Sequence, residues 1–147
     1  MVRAHRLLEA YLHRELDYGL DEVHDEAEKL EHAVSERLAT RIAAKLGEPT
    51  RDPHGHPIPT KDGSIASDSD QSLGDLEVGQ TATVASVSDL DREMLRYVCS
   101  HGLTPGAKLA LIERAPFDGP LHVQVQGPKA PLALGRKVAA VVLVRPV

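Results

Sequence analysis

The sequence predicts an α+β protein, with a helical N-terminal domain joined by a linker to a small β-barrel. Three observations carry that expectation. Apolar residues recur at helical spacing over the first third of the chain and at every second position over much of the second half. Between the two lies a stretch almost devoid of large apolar side chains. The boundaries read as 1–59, 60–75 and 76–147.

A first helix spans Val2 to about Leu16, because Leu7, Leu8, Tyr11, Leu12 and Leu16 form a 3.6-type stripe that Tyr18-Gly19 interrupts. A second helix starts near Asp21, whose carboxylate can cap free N–H groups, with Glu22 favourable in the first turn. Ser35-Glu36 reads as a fresh N-cap, so the run Asp21–Leu46 is two helices meeting near Val34 and Ser35. Gly47 and Pro49 end it. In RDPHGHPIP, Pro53, Pro57 and Pro59 with Gly55 dictate a turn-rich extended segment.

Residues 60–75 (TKDGSIASDSDQSLGD) bury too little apolar surface to offset ordering entropy, which makes them a flexible linker. Strands follow at Thr81–Val87, Ala107–Ile112, Leu121–Val125 and Val141–Val144, with a helix at Asp91–Ser100 closed by His101-Gly102. About five short strands and one helix in some 70 residues suggest a barrel of SH3-like type.

Composition narrows the function. The 147 residues carry a net charge of −5, split as −4, −3 and +2 over the three segments, so a global basic footprint for nucleic acid is missing. Three Tyr, one Phe and no Trp supply no base-stacking platform. One cysteine, Cys99, excludes an internal disulfide framework and a Cys-based zinc cluster, and reads as a small buried hydrophobe. No 18-residue apolar run and no signal-peptide block occur, so cytoplasm is the expected compartment.

Eight histidines are the unusual count. On a helical wheel His24, Glu28, Glu31 and His32 share an arc of about 100°, beside a separate apolar stripe of Val23, Ala27, Leu30 and Val34. His5 and Glu9 share a face of the first helix at i, i+4. In an antiparallel hairpin the two polar faces meet, and imidazole nitrogen with carboxylate oxygen suits manganese, iron, cobalt or zinc. The competing reading is a solvated face of weak pairs. His13 extends the first helix's polar face; His54 and His56 sit in the Pro-rich turn as structural or solvated groups. His101 suits a helix C-terminus, and His122 faces solvent. No P-loop, nucleophile motif or substrate-binding loop accompanies the cluster, so an enzyme is not expected.

Several motifs in order resemble the diphtheria-toxin-repressor family of iron- and manganese-dependent regulators. They are His5 with Arg6-Leu7-Leu8-Glu9, Val23-His24-Asp25-Glu26-Ala27-Glu28, Glu31-His32-Ala33-Val34-Ser35 and Pro53-His54-Gly55-His56-Pro57-Ile58-Pro59. The C-terminal part is similar to an SH3-like, ferrous-transport-protein-A type domain through Leu95-Arg96-Tyr97, Gly102-Leu103-Thr104-Pro105-Gly106 and Ala133-Leu134-Gly135.

The resemblance implies a winged-helix DNA-binding domain, a helical dimerisation and metal-binding domain, and the SH3-like domain. This chain starts at the first dimerisation helix, so Met1 is expected to mark a truncation and operator DNA to be reached only through the missing domain. By the same resemblance His5, Glu9 and His24 match one metal site. Glu28, Glu31 and His32 match the other, which draws further ligands from the winged-helix domain. Glu28 stands where iron-type members carry Cys, as in manganese-type members. Asp91 is the nearest match to an SH3-like-domain ligand of the first site, while Met94 occupies the place of a second.

The resulting expectation is the metal-sensing, dimerising portion of a transcriptional repressor using Mn2+ or Fe2+, with Co2+ or Zn2+ as in vitro substitutes. It would act as a homodimer and without membrane contact. Val23, Ala27, Leu30, Val34, Leu38 and Ile42 supply the dimer face. The rival is a stand-alone metal-binding or protein-interaction module without DNA binding.

Overall fold

The computed structural model describes residues 2–65, 70–127 and 130–146. The chain divides into two compact units, 1–68 and 69–147.

In the first unit, α1 (Val2–Leu16) is followed by α2 (Val23–Leu30), a 3-10 turn at Glu31–Ala33, and α3 (Glu36–Lys45). His13 and Arg14 in the last turn of α1 complement its dipole. The chain leaves α1 through Asp17 at φ +59°, and α2 begins two residues later than the sequence suggests. Its N-cap position is held by Glu22 with no side-chain cap bond; Asp21 lies in the preceding turn. Extended backbone at Val34 breaks the run, and Ser35 caps α3 by accepting from the Leu38 N–H at 3.1 Å. Leu7, Leu8, Ala10 and Leu12 pack with Val23, Ala27, Ala39, Ile42, Ala43, Leu46 and Ile58 into one core.

The expected dimer stripe therefore divides. Val23, Ala27 and Ile42 are consumed inside the protomer, because α1 and α3 already cover that face, and Val34 is half-buried. Leu30 and Leu38 remain 40% and 48% exposed.

The turn-rich segment 49–59 folds back over the helices. Arg6 donates to the Pro57 carbonyl, and Ile58 enters the core. Asp52 Oδ1 accepts from the N–H groups of His54 and His56, both at 2.9 Å, and so fixes the turn.

The second unit is a six-stranded antiparallel sheet of β1 (Gln71–Ser72), β2 (Thr81–Val87), β3 (Lys108–Arg114), β4 (Leu121–Val125), β5 (Leu132–Leu134) and β6 (Val142–Pro146). Its order is β1-β6-β2-β3-β4-β5. α4 (Arg92–Ser100) links β2 to β3, and α5 (Arg136–Val141) precedes β6. Alternate residues Leu109 and Leu111, Leu121, Val123 and Val125, and Val142 and Val144 point into one core, which Leu95 and Val98 of α4 join. An irregularity between Val84 and Ser86 breaks the alternation of β2, so Val84 through Val87 are all buried.

The α+β class holds, with two differences from the sequence reading. The sheet is open rather than a closed barrel: among the described residues, two- and three-residue strands end it on either side, too short to zip together. The linker is shorter than expected. β1 and the fully buried Leu73 and Leu76 bring residues from 71 onward into the sheet unit, and Arg114 Nη2 donates to the carbonyls of Gly74 (2.9 Å) and Leu76 (2.6 Å). Residues 66–69 of that expected linker lie outside the described residues. Cys99 packs half-buried against the core, and His101 caps the C-terminus of α4 with its ring 4.6 Å from Tyr97.

Candidate metal centre

Helical spacing places His5 and Glu9 one turn apart on α1, and His24 opens α2 on the facing side. Ligand atoms of all three lie within 4.8 Å of one another. His5 Nε2 is 3.2 Å from His24 Nδ1 and 3.4 Å from Glu9 Oε1; His24 Nδ1 is 3.9 Å from Glu9 Oε2. The rings of His5 and His24 meet edge to face, with centroids 4.9 Å apart.

The other nitrogen of each ring faces a carboxylate. His5 Nδ1 donates to Glu31 Oε2 at 3.0 Å, and His24 Nε2 lies 3.7 Å from Glu28 Oε2. A neutral imidazole with its proton on the outer nitrogen turns a lone pair inward. Glu31 thereby leaves a lone pair on His5 Nε2, which accepts across the 3.2 Å contact with His24 Nδ1 and is the nitrogen a cation would take, the arrangement in which an outer carboxylate fixes the tautomer of a metal-bound histidine.

Glu9 is the unusual member. Its side chain is 1% exposed, and an isolated carboxylate there would carry a large desolvation cost. Two imidazole nitrogens and one carboxylate converging at this spot fit a divalent cation of intermediate hardness: the charge that is costly to bury is the one a cation neutralises.

The 3-10 turn redistributes the remaining expected ligands. It advances about 120° per residue rather than 100°, so Glu31 departs by only about 20° from the wheel drawn on α2 and His32 by about 40°. Glu31 keeps the face it shares with His24 and meets His5, whereas the His32 side chain stays 67% exposed, 3.6 Å from Glu31 Oε1. Glu28 is also largely exposed. The structure therefore brings His5, Glu9, His24 and Glu31 together and leaves Glu28 and His32 at the solvent edge. Asp91 caps α4, its Oδ1 accepting from the N–H groups of Glu93 (3.0 Å) and Met94 (3.2 Å). His13 Nδ1 donates to the Tyr18 carbonyl at 2.8 Å and serves the end of α1.

His54, expected as a structural or solvated group, takes a place beside the centre that the sequence reading did not give it. It is fully buried, with Nδ1 3.4 Å from Glu9 Oε2 and Nε2 donating to the Leu20 carbonyl at 2.7 Å. A histidine two residues after an aspartate inside a Pro/Gly turn was the available signal, since that pattern ties the backbone to the carboxylate and fixes the ring's direction. His56 lies beside Asp52, Nδ1 to Oδ2 at 3.6 Å. Burial pushes the Asp52 carboxyl up, but the hydrogen bonds and positive charge of His56, with His54 behind it, more than reverse this and lower it below the ordinary value.

Residues 1–60 match the family described as the iron dependent repressor, metal binding and dimerisation domain, and residues 71–146 match the FeoA domain. A diphtheria toxin repressor of Corynebacterium efficiens is 30% identical over 122 residues, covering 76% of this chain and 53% of that protein. A probable metal transport system membrane protein of Chlamydia trachomatis is 43% identical over 61 residues, 42% of this chain and 14% of the other. A solved manganese-dependent transcriptional repressor in complex with manganese superposes with a TM-score of 0.92 at 47% identity, covering 99% of this chain and 69% of that one. The chain thus spans about half the length of the Corynebacterium repressor and a seventh of the Chlamydia protein.

Proposed function

Since this chain belongs to the diphtheria-toxin-repressor family of iron- and manganese-dependent transcriptional regulators, we propose that it is the metal-sensing and dimerising part of such a repressor, with Mn2+ or Fe2+ as its ion. The convergence of His5 Nε2, His24 Nδ1 and the buried Glu9 carboxylate carries the reading. His5, Glu9 and His24 would hold the tighter ion, and Glu28, Glu31 and His32 a weaker one that gains from donors outside these residues. Once bound, the ion neutralises Glu9.

The chain's own contribution is positional. His5 and Glu9 ride on α1 and His24 on α2, so one ion engages both helices and favours whichever arrangement of them holds the three donors closest. The exposed Leu30 and Leu38 then serve a two-fold homodimer. Operator DNA would be reached through a winged-helix domain, of which there is none among the described residues. Among those residues no helix is long and apolar enough to cross a membrane, and a repressor's work belongs in the cytoplasm.

Mn2+ titration of this chain and of His24→Ala tests the assignment: the tightest site should be lost in the variant, and full retention refutes it. Sedimentation at micromolar concentration should give a dimer that Leu38→Glu dissociates. This chain should not shift operator DNA with or without Mn2+, and sequence-selective binding by these residues alone would overturn the division of labour.

A further inference from the structure

We propose that His54 is the outer partner of Glu9, a positioning residue that makes the turn 51–59 part of the metal centre. The inference rests on the reading of Glu9 and His24 as ligands. Two inner donors already have such partners: Glu31 stands behind His5 and Glu28 behind His24. Glu9 has its counterpart on a third segment, 45 residues further along the chain, where His54 Nδ1 faces Oε2 at 3.4 Å. Both side chains are at most 1% exposed, so an apolar residue at position 54 would leave the carboxylate against hydrocarbon.

The residue is anchored at its backbone and at one ring nitrogen, and its side chain is fully buried. Its backbone N–H donates to Asp52 Oδ1 and its Nε2–H to the Leu20 carbonyl, so its attraction to Glu9 at 3.4 Å requires a second proton, on Nδ1, as in an imidazolium. Leu20 lies four residues before His24, in the turn that launches α2. One imidazole therefore orients the second ligand, Glu9, directly and steadies the segment that delivers the third, His24. The cluster Asp52, His54 and His56 is close-knit enough to suggest an ion site of its own. Oδ1 of Asp52 is nonetheless committed to two backbone N–H groups and the His54 ring to Leu20 and Glu9, which makes it a scaffold instead.

The test compares the full chain with Glu9→Gln, His54→Leu and His54→Gln. Mn2+ affinity is read by titration, ligand geometry by the visible spectrum of the Co2+ form, and fold by helical circular dichroism. His54→Leu should weaken the tight site about 10- to 100-fold, the range for loss of an outer partner, and alter the Co2+ bands with helicity kept. His54→Gln, which keeps a polar group near the carboxylate, should recover part of the affinity. Unchanged affinity and Co2+ bands in His54→Leu, with lower thermal stability alone, would make His54 merely structural and overturn the proposal. Unchanged affinity in Glu9→Gln would instead sink the ligand assignment itself. If the His54 variants do not fold, nuclear magnetic resonance of the native chain loaded with 113Cd2+ decides: coupling to His5 and His24 with none to His54 supports the proposal. Coupling to His54 makes it a ligand and refutes it.

Discussion

Replacing Glu9 by leucine should make the metal-free protein more stable while abolishing its response to metal. Glu9 sits on the buried face of α1 beside Leu8 and Ala10, with its carboxylate 1% exposed. Exchanging a whole buried ion pair for hydrophobes of similar volume is often neutral or stabilising by about 1–4 kcal/mol, and removing one member is costly only where it strands the other's charge. The neighbours of Glu9 are imidazoles (His5, His24 and His54), a group that unlike guanidinium has a neutral form, so no obligatory charge is stranded. A gain of about 1 kcal/mol corresponds to roughly 4–8 °C in Tm for a unit of this size. Metal acts oppositely: an ion at about 100 times its Kd stabilises the native chain by about 2.7 kcal/mol, and the variant should gain nothing from that site. The assay is thermal unfolding followed by helical circular dichroism, with and without Mn2+. A variant that loses more than about 1 kcal/mol when metal-free, or that keeps the native Mn2+-induced rise, would refute the reasoning.

Three other perturbations probe the scaffold. Ser35→Ala removes the acceptor for the Leu38 N–H and should cost about 1 kcal/mol in chemical denaturation of the helical unit. Leu111→Ala, at a fully buried position in the sheet, should cost about 2–5 kcal/mol and destabilise the sheet unit. Asp52→Ala should cost about 2 kcal/mol near neutral pH, since it removes a charged acceptor of two N–H groups. Because folding lowers the Asp52 pKa from 3.8, its contribution is complete above that value and lost as pH falls through the lower folded pKa. The gap between native and variant should close in acid, and a gap constant down to pH ~2 would contradict this.

Much of this architecture was legible in the residues. The stripe on α1, the Ser35 cap and the period-two strands each follow from local rules, and helical spacing alone paired His5 with Glu9. The illegible parts are those where tertiary contact overrides local pattern. The 3-10 turn at Glu31–Ala33 changes the angular step inside one apparent helix, so His32 turns away from the shared face while Glu31 stays on it and meets His5. β1 is two residues long, too short for any alternation to announce it, and the fully buried Leu73 beside it looks in sequence like a stray apolar residue in a polar run. His54 reaches Glu9 across 45 positions, a distance that no periodicity encodes.

The open sheet bears on how the protein behaves at high concentration. An unpaired strand edge is a template onto which another chain can add, and that risk grows with edge length. Here the longest strands, β2 and β3, have partners on both sides, and the sheet ends in Gln71–Ser72 on one side and Leu132–Leu134 on the other. So few exposed rungs give a stacking copy little to grip. A sheet that is not closed can thus still be poor at seeding fibrils.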